Sequence, residues 1–509
     1  MKKKKSIHSR RLEALQQIAI ELLDHSNQHD LLNLIVTKAV GLLNCEAGSL
    51  FLRHDANSLI FEVAINQTLK FNFEKKLIPI SDQGIAAYTF REGKAVRIRN
   101  AYELDAASPF KFNPFFDKAT GYKTRSVLSL PLINSKEERL GVLQLINRYT
   151  GNKKSISFKR EDVKLAQSFA ALASSAIENS HLYSNIKGLF EGFVQASVSA
   201  IESRDPVTKG HSQRVSQLSV NLGLKLNQFS ANQIDEIRVA ALLHDFGKIG
   251  VKEEVLVKAK KLYPAEQAVI RARLDHFRYA TEIKFLRDLL QKLKAESRIP
   301  TEMDLAGTEK KIEEMRQSIE GVWTDILDLN EPSILNEDRS KKLVKLQEVM
   351  FPHTNGSVKP VLEASEIKTL SIKKGSLTTE ERLKIEGHVT QTYFFLKQIP
   401  WSNEYVNIPD IAHSHHEKLD GSGYPRGIEG KAISIQARLL TICDIYDALV
   451  AADRPYKKAL PSERALMILE AEAKEGKLDP QILKVFIEAK VFESVSFDHP
   501  AETPKPKAA

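Results

Sequence analysis

The stretch HSHHEKLDGSGYP, residues 413–425, places three of the chain's 14 histidines within four positions. It continues directly into an acidic residue, two glycines, a tyrosine and a proline. Such dense histidines form either a polar loop or one part of a metal site, because neutral imidazole is a common ligand of transition metals. Which of the two applies depends on the metal-ligating side chains elsewhere in the chain.

A second stretch, LLHDFGKIGV at 242–251, places His244 and Asp245 next to each other at the end of an apolar helical pattern. Gly247 and Gly250 indicate where that helix ends. Taken alone, the pair could simply be an imidazole that a neighbouring carboxylate holds by a hydrogen bond.

Further candidate ligands occur in the same predicted α-helical segment. Five histidines and two aspartates fall there: His211, His244, Asp245, His388, His415, His416 and Asp444. Asp444 belongs to an apolar helix, where an unpaired carboxylate would be costly to bury. Imidazole and carboxylate together favour iron, manganese or zinc over calcium or magnesium. Asp245 is the natural bridge between two metals, and a two-metal site suits in-line displacement at phosphorus.

Two motifs occur whole and in order, HDxGK at 244–248 and HHExxDGxGYP at 415–425. With them the chain resembles HD-GYP proteins over about 200–258 and 374–492. The resemblance implies an all-α phosphodiesterase that hydrolyses the bacterial second messenger cyclic di-GMP to pGpG or GMP. It also implies that the seven residues above are metal ligands. Because Val207 stands where some members carry an extra glutamate, we expect two divalent ions, iron or manganese, rather than three.

The choice of His388 as a ligand requires comparison with His276, which is nearer to His244 in sequence. GSLTTEERLKIEGHVTQT around His388 matches the family stretch that carries this ligand, and ARLDHFR around His276 matches less well. His388 also precedes His415 by 27 residues, a short gap of the kind that the family has. We therefore expect His388 to be the ligand.

The resemblance gives further residues a role. Lys248 would hold a phosphate oxygen or the leaving group, although a lysine at a helix end can also be only a capping charge. Arg454 and Lys457 match positions that bind the ligand's phosphates. The loop of Gly423, Tyr424 and Pro425 is expected to be exposed and to contact partners such as cyclic di-GMP synthases.

The N-terminal part has helical patterns followed by several β-rich runs, which predicts an α+β domain around one antiparallel sheet. Residues 11–158 resemble a GAF domain of cyclic-nucleotide phosphodiesterases, through GIAAYTFREGKAVRIRNAYELD and GVLQLINR. The candidate ligand residues are Asn147, Arg148, Phe158 and Asp162. Arg148 stands in place of a family lysine and Val163 in place of a glutamate, so the domain either binds a small ligand such as a cyclic nucleotide or only dimerises.

The predicted organisation has six parts. They are a basic tail at 1–10, the GAF domain at 11–158, a connecting helix at 159–203, the HD-GYP domain at 204–492, a helical insertion within it at 259–373, and a disordered tail at 493–509. Apolar residues recur at three- and four-residue steps along the connecting helix, which predicts either a homodimer seam or packing on its own domain. The insertion is either a surface hairpin or a lid.

Composition limits the class of protein. The net charge of +9 is not accompanied by a nucleic-acid motif, so we expect a solvated surface and no nucleic acid as partner. Two cysteines cannot build a disulfide framework, and no apolar run of 18 residues occurs, so we expect a cytoplasmic chain with no membrane span.

The sequence therefore predicts a multidomain cyclic di-GMP phosphodiesterase that a GAF domain regulates. One alternative is an enzyme for another cyclic dinucleotide, such as cyclic GMP-AMP. A second is a non-catalytic cyclic di-GMP sensor or scaffold that docks partners through the loop at 423–425.

Overall fold

A computed structural model of the chain describes residues 7–23, 28–69, 74–150, 155–204, 210–353, 357–451 and 459–495. The chain divides into two compact units between Glu191 and Gly192. Most of the two predicted tails lies outside the described residues. The predicted boundaries of the domains stay predictions.

The first unit is α+β. Its described elements are α1 (Ile7–Leu23), α2 (Gln28–Leu43), β1 (Cys45–Arg53), β2 (Ser58–Asn66), β3 (Leu77–Pro79), α3 (Ile85–Glu92), β4 (Val96–Ile98), α4 (Phe115–Thr120), β5 (Val127–Ile133), β6 (Arg139–Arg148) and the part of α5 (Arg160–Arg204) up to Glu191. The strands form one antiparallel sheet in the order β3-β2-β1-β6-β5-β4.

The core of this unit lies between the sheet and three helices. Side chains of β1 and β6, which pair Leu50 with Leu143, pack with those of α1, α2 and α5. Ile35 on α2 and Phe169 on α5 are fully buried in this cluster. The predicted antiparallel α+β domain is confirmed. The short edge strand β3 was not predicted, because three residues are too few to show an alternating pattern.

The second unit is mainly helical. Its described elements are α6 (His211–Leu226), α7 (Ala231–Leu243), α8 (Glu253–Leu256), α9 (Pro264–Ala295), α10 (Glu302–Asn330), α11 (Glu337–Glu348), β7 (Met350–Pro352), β8 (Val358–Pro360), α12 (Ala364–Leu370), α13 (Thr379–Leu396), α14 (Ile408–His413), α15 (Ile435–Val450), α16 (Ser462–Lys474) and α17 (Pro480–Glu488). A 3-10 turn, Phe246–Gly250, follows α7. The predicted long helices of the insertion are present, and β7 and β8 add a small hairpin that was not predicted.

The insertion has its own apolar core, in which Leu274 and Phe277 of α9 pack with Ile319 and Ile326 of α10. Its base is joined to α13 through Glu381. The carboxylate of Glu381 accepts hydrogen bonds from Lys258 Nζ, at 2.8 and 2.9 Å, and from the Tyr263 hydroxyl at 2.7 Å. These contacts join the base of the insertion to α13, the helix that carries His388.

Within the part of the chain that the structure describes, no helix combines the length and the apolar character needed to cross a bilayer.

Candidate metal centre

Seven side chains from five helical segments meet in the second unit. His211 begins α6, His244 and Asp245 follow α7 directly, His388 lies on α13, His415 and His416 follow α14, and Asp444 lies on α15. The helix that precedes His415 and His416 is α14. The helix ends at His413, and both residues lie in the turn after it.

The imidazoles surround the two carboxylates. His388 Nε2 lies 3.0 Å from Asp245 Oδ1, and His244 Nε2 lies 3.4 Å from Asp245 Oδ2. His211 Nε2 lies 3.2 Å from Asp444 Oδ1. The two aspartates thus stand at the centre of the cluster, and all seven predicted ligand residues contribute to it.

The backbone fixes the orientation of three rings. The Nδ1 atom hydrogen-bonds the carbonyl oxygen three residues earlier, at 2.7 Å for His244, 2.5 Å for His388 and 2.6 Å for His415. A carbonyl oxygen only accepts, so each Nδ1 carries the proton and each Nε2 keeps its lone pair. All three Nε2 atoms are buried and have no hydrogen-bond partner. Buried polar atoms are rarely left so, which makes these lone pairs candidate ligands.

A fourth ring is oriented by a carboxylate that sequence reasoning missed. His211 Nδ1 lies 2.7 Å from Asp447 Oδ2, and Asp447 is fully buried. Arg214 holds the same carboxylate, with Nε 2.7 Å from Oδ1 and Nη2 3.1 Å from Oδ2. Asp447 was detectable as a second aspartate one turn after Asp444 on an apolar helix. A buried carboxylate of this kind fixes a ligand's tautomer.

The surroundings of several carboxylates and imidazoles in the cluster shift their pKa values in different directions. Burial opposes the charge of Asp245, but Lys248, His244 and His388 hold its pKa well below the ordinary value. Burial lowers the pKa of His416 to about 4 and also lowers that of His244. Burial opposes the charge of His211 too, but Asp444 and Asp447 raise its pKa to about 9. The cluster therefore combines anionic carboxylates with neutral imidazoles at His244 and His416, the protonation state that metal ligands need.

Three groups of side chains in this cluster bring their ligand atoms within 4.8 Å of one another. They are His388–His415–His416, His211–His244–Asp245 and His244–His415–Asp444. The nitrogen-rich set with two carboxylates, the buried unpartnered lone pairs and the fixed tautomers all fit divalent transition metals. These seven residues are called the candidate metal centre.

Lys248 lies beside the candidate metal centre. It belongs to the 3-10 turn after Asp245, and its Nζ atom is 2.6 Å from Asp245 Oδ2. The positive charge of Lys248 therefore lies next to the Asp245 carboxylate. The role predicted for it in holding a phosphate oxygen stays a prediction.

The loop of Gly423, Tyr424 and Pro425 is half-buried, which corrects the expectation that it is exposed. The ring of Tyr424 lies against that of His416, with centroids 4.8 Å apart, and its N–H donates to the His416 carbonyl oxygen at 3.2 Å. A Cβ atom on Gly423 would lie 2.3 Å from the Lys418 nitrogen, so only glycine fits there. The loop thus covers the candidate metal centre on one side.

The remaining predicted residues lie elsewhere or are not described. His276 lies in the insertion, where its ring is 4.5 Å from that of His353, and it is not part of the cluster. Val207, Arg454 and Lys457 lie outside the described residues.

The predicted ligand residues of the first unit form an internal network. Arg148 Nε lies 2.9 Å from Asp162 Oδ2, and Phe158 is buried in the core. Asn147 Nδ2 donates to Glu46 Oε2 at 2.8 Å, and its Oδ1 accepts from the Arg125 N–H at 2.7 Å.

A cavity of about 530 Å³ in the same unit lies among other residues. Those that line it include Ser49, Phe61, Lys111, Tyr122 and Gln144, and none of the four predicted residues is among them. Sequence reasoning missed this cavity because its lining comes from β1, β2, β6 and distant loops, which no short motif links.

Comparison with protein families gives three matches along the chain. Residues 27–177 match the model of the GAF domain, and residues 208–329 and 364–482 match models of the HD domain. The two HD matches contain all seven residues of the candidate metal centre.

Curated relatives match over parts of their length. The 3'3'-cGAMP-specific phosphodiesterase 3 of Vibrio cholerae is 39% identical over 109 residues, which is 21% of this chain and 23% of the relative. The cyclic di-GMP phosphodiesterase response regulator RpfG of Xanthomonas campestris is 37% identical over 118 residues, 23% of this chain and 30% of the relative. The chain thus spans less than a third of the length of these relatives.

Among solved structures, the GAF domain of a phosphoenolpyruvate-protein phosphotransferase from Coxiella burnetii is similar at 19% identity and a TM-score of 0.29. The likeness covers 35% of this chain and 99% of that one. The assignment of this unit rests on the family match and on the strand order of its own sheet.

Proposed function

Because the chain carries a GAF domain and an HD domain, we propose that it is a metal-dependent phosphodiesterase that hydrolyses cyclic di-GMP to pGpG or GMP. One observation carries the proposal. Three buried imidazole Nε2 atoms without hydrogen-bond partners converge on two buried carboxylates, beside a lysine that can meet a phosphate.

The metals in this proposal are two divalent ions held by His211, His244, Asp245, His388, His415, His416 and Asp444. Such ions supply an activated water and stabilise the charge on both oxygens of a displacement at phosphorus. We propose iron or manganese, because five imidazoles and two carboxylates suit these ions better than magnesium or calcium.

The chain's own residues perform the other tasks. Asp245, whose two carboxylate oxygens face different histidines, would help to hold the ions. Asp447 keeps the Nδ1 proton of His211 in place, so that Nε2 faces the centre. Lys248 moves from Asp245 to a phosphate oxygen and neutralises the charge that develops on the leaving group. Arg454 and Lys457, which lie outside the described residues, would bind phosphates of the cyclic dinucleotide.

A second candidate substrate is 3'3'-cyclic GMP-AMP, which shares the phosphodiester chemistry. It is favoured by one observation, that two of the matched relatives from Vibrio cholerae are named 3'3'-cGAMP-specific phosphodiesterases. A non-catalytic sensor or scaffold, which would dock a cyclic di-GMP synthase through Gly423, Tyr424 and Pro425, is the third candidate. The contact between Tyr424 and His416 favours a role for this loop in covering the site instead.

We further propose that the first unit regulates this activity. A small ligand such as a cyclic nucleotide would bind in the 530 Å³ cavity. The chain would work as a cytoplasmic homodimer whose copies meet along α5. This seam is supported by four residues that are exposed and follow the heptad steps of a coiled coil, Leu182, Ile186, Leu189 and Phe193.

The test is turnover of cyclic di-GMP and cyclic GMP-AMP side by side, with the protein purified anaerobically and loaded with iron or manganese. We expect linear dinucleotide or mononucleotide from cyclic di-GMP, and none after the metal is removed by a chelator. Faster release from cyclic GMP-AMP would select the second substrate. Ligand binding without product from either nucleotide would favour the sensor.

A further inference from the structure

A second cavity of the first unit, open to solvent and about 500 Å³ in volume, lies at the end of the sheet where β1 stops and β6 starts. Three of the six residues that line it are arginines, and none is acidic. The lining consists of Arg53, Ala56, Ile80, Phe90, Arg91 and Arg139. It shares no residue with the lining of the 530 Å³ cavity. Arg53, Arg91 and Arg139 are called the arginine cluster.

Three separate elements bring the arginine cluster together. Arg53 is the last residue of β1, Arg91 lies in the last turn of α3, and Arg139 is the first residue of β6. The antiparallel pairing of Leu52 with Gly141 places the ends of the two strands side by side. The cluster is therefore a product of the fold, and no contiguous motif in the sequence indicates it.

Backbone carbonyl oxygens hold the guanidinium groups at the cavity. Arg91 donates through Nη1 to the carbonyl oxygens of Ile80 and Asp82, the second at 2.6 Å. Arg139 donates through Nη1 to the Arg91 carbonyl oxygen. Arg53 donates through Nε to the carbonyl oxygen two residues later, at 3.2 Å. Each of these bonds engages one nitrogen of a group that has five N–H donors, so each arginine is oriented and keeps donors for a ligand.

No carboxylate neutralises the arginine cluster in the part of the chain that the structure describes. Arg148 of the same unit, by contrast, is paired with Asp162 at 2.9 Å. The carboxylate of Asp82 accepts the Gly84 N–H instead of pairing with Arg91. Three like charges around one cavity repel one another, and the buried Phe90 in its wall reduces the water that could screen them. An anion in the cavity would remove this repulsion.

We propose that the arginine cluster binds a phosphate dianion, either free or as the terminal group of a small molecule. Arginine forks donate two parallel hydrogen bonds to phosphate oxygens, and such charge-assisted bonds are stronger than neutral ones. A phosphate monoester offers three acceptor oxygens and nearly two negative charges, which suits three cations better than the single charge of a carboxylate. The volume of the cavity is in the range of small-molecule sites.

Calorimetric titration of the full-length protein with inorganic phosphate and, separately, with GMP tests this. Arg53→Gln removes one charge with little risk to the fold, because its side chain is exposed. Arg139→Lys keeps the charge and loses the fork. Arg99→Gln is the matched control, an exposed arginine of the same unit that does not line the cavity. All proteins are brought to the same metal content, so that phosphate bound at the candidate metal centre is common to them, and circular dichroism checks that they are folded.

We expect Arg99→Gln to bind phosphate as the wild type does. Arg53→Gln and Arg139→Lys should bind it at least about tenfold more weakly, because each loses charge-assisted hydrogen bonds. Tighter binding of GMP that the same two variants lose would identify an esterified phosphate as the ligand, and equal binding of both probes would identify free phosphate. Equal affinity of Arg53→Gln, Arg99→Gln and the wild type would overturn the proposal, as would the absence of saturable binding by the wild type. Turnover of cyclic di-GMP is measured separately, so its absence bears only on the proposed activity.

Discussion

Gly247 packs so closely on α13 that a Cβ atom added to it would lie 2.0 Å from the carbonyl oxygen of His388. Its N–H donates to the Thr392 hydroxyl at 2.7 Å, on the same helix. The turn that carries Asp245 thus lies too close to the helix that carries His388 for a side chain at position 247. The same turn and helix carry Asp245 and His388, whose Oδ1 and Nε2 atoms lie 3.0 Å apart.

Gly247→Ala should push the turn away from α13. We expect a loss of about 1 to 3 kcal/mol in the free energy of unfolding, because the methyl group meets backbone that cannot rotate away. Bound metal per chain should fall as well, since Asp245 and His388 move apart. Urea unfolding and elemental analysis measure the two effects.

Gly250→Ala is the matched control. Its Cβ would meet the end of the Gln391 side chain, at 2.0 Å from Oε1, and that side chain can change rotamer. We expect it to retain metal and most of its stability. Equal losses in both variants would show that the close approach of Gly247 is not what positions the ligands.

Asp447→Asn should weaken metal binding without removing a ligand atom. The asparagine can present its amide nitrogen to His211 Nδ1, which favours the tautomer with the proton on Nε2, the atom that faces the centre. We expect metal affinity to fall about 10- to 100-fold, as for other groups that orient a ligand. Competition with a fluorescent chelator measures this. Asp410→Asn, at an exposed position on α14, should bind metal as the wild type does.

The seven residues of the candidate metal centre could be predicted because metal binding needs histidine and carboxylate side chains. Two groups of these side chains also occur in contiguous motifs, at 244–248 and 415–425. Asp447 could not be assigned, because only the fold shows that it faces His211 and not solvent. The antiparallel sheet was predictable from alternating apolar residues in β1, β5 and β6. The cavity of the first unit was not, since its lining residues meet only through tertiary packing.

The ion pair of Lys258 and Glu381 should make stability depend on pH. Burial would raise the pKa of Glu381, but Lys258 and Tyr263 lower it from 4.5 to about 2. A carboxyl whose pKa is lower in the folded state adds stability above its unfolded pKa and loses it as pH falls through the folded value. The contribution should therefore be complete above pH 4.5 and disappear towards pH 2.

Glu381→Gln tests this dependence. At neutral pH we expect it to be less stable than the wild type by roughly 2 to 4 kcal/mol, because Lys258 is left buried without its partner. The difference should shrink as pH falls below 4.5. Glu380→Gln, at an exposed neighbouring position, should follow the wild type throughout. A constant gap between wild type and Glu381→Gln at every pH would contradict the assigned pKa shift.

We propose that Asp245 would help to hold two divalent ions in one hydrolytic site. This is tested by turnover of cyclic di-GMP by metal-loaded wild type and Asp245→Ala, with metal content and circular dichroism recorded on the same samples. We predict that Asp245→Ala keeps its helical signal, loses bound metal and forms no product above background. Hydrolysis by Asp245→Ala at the wild-type rate would contradict the claim.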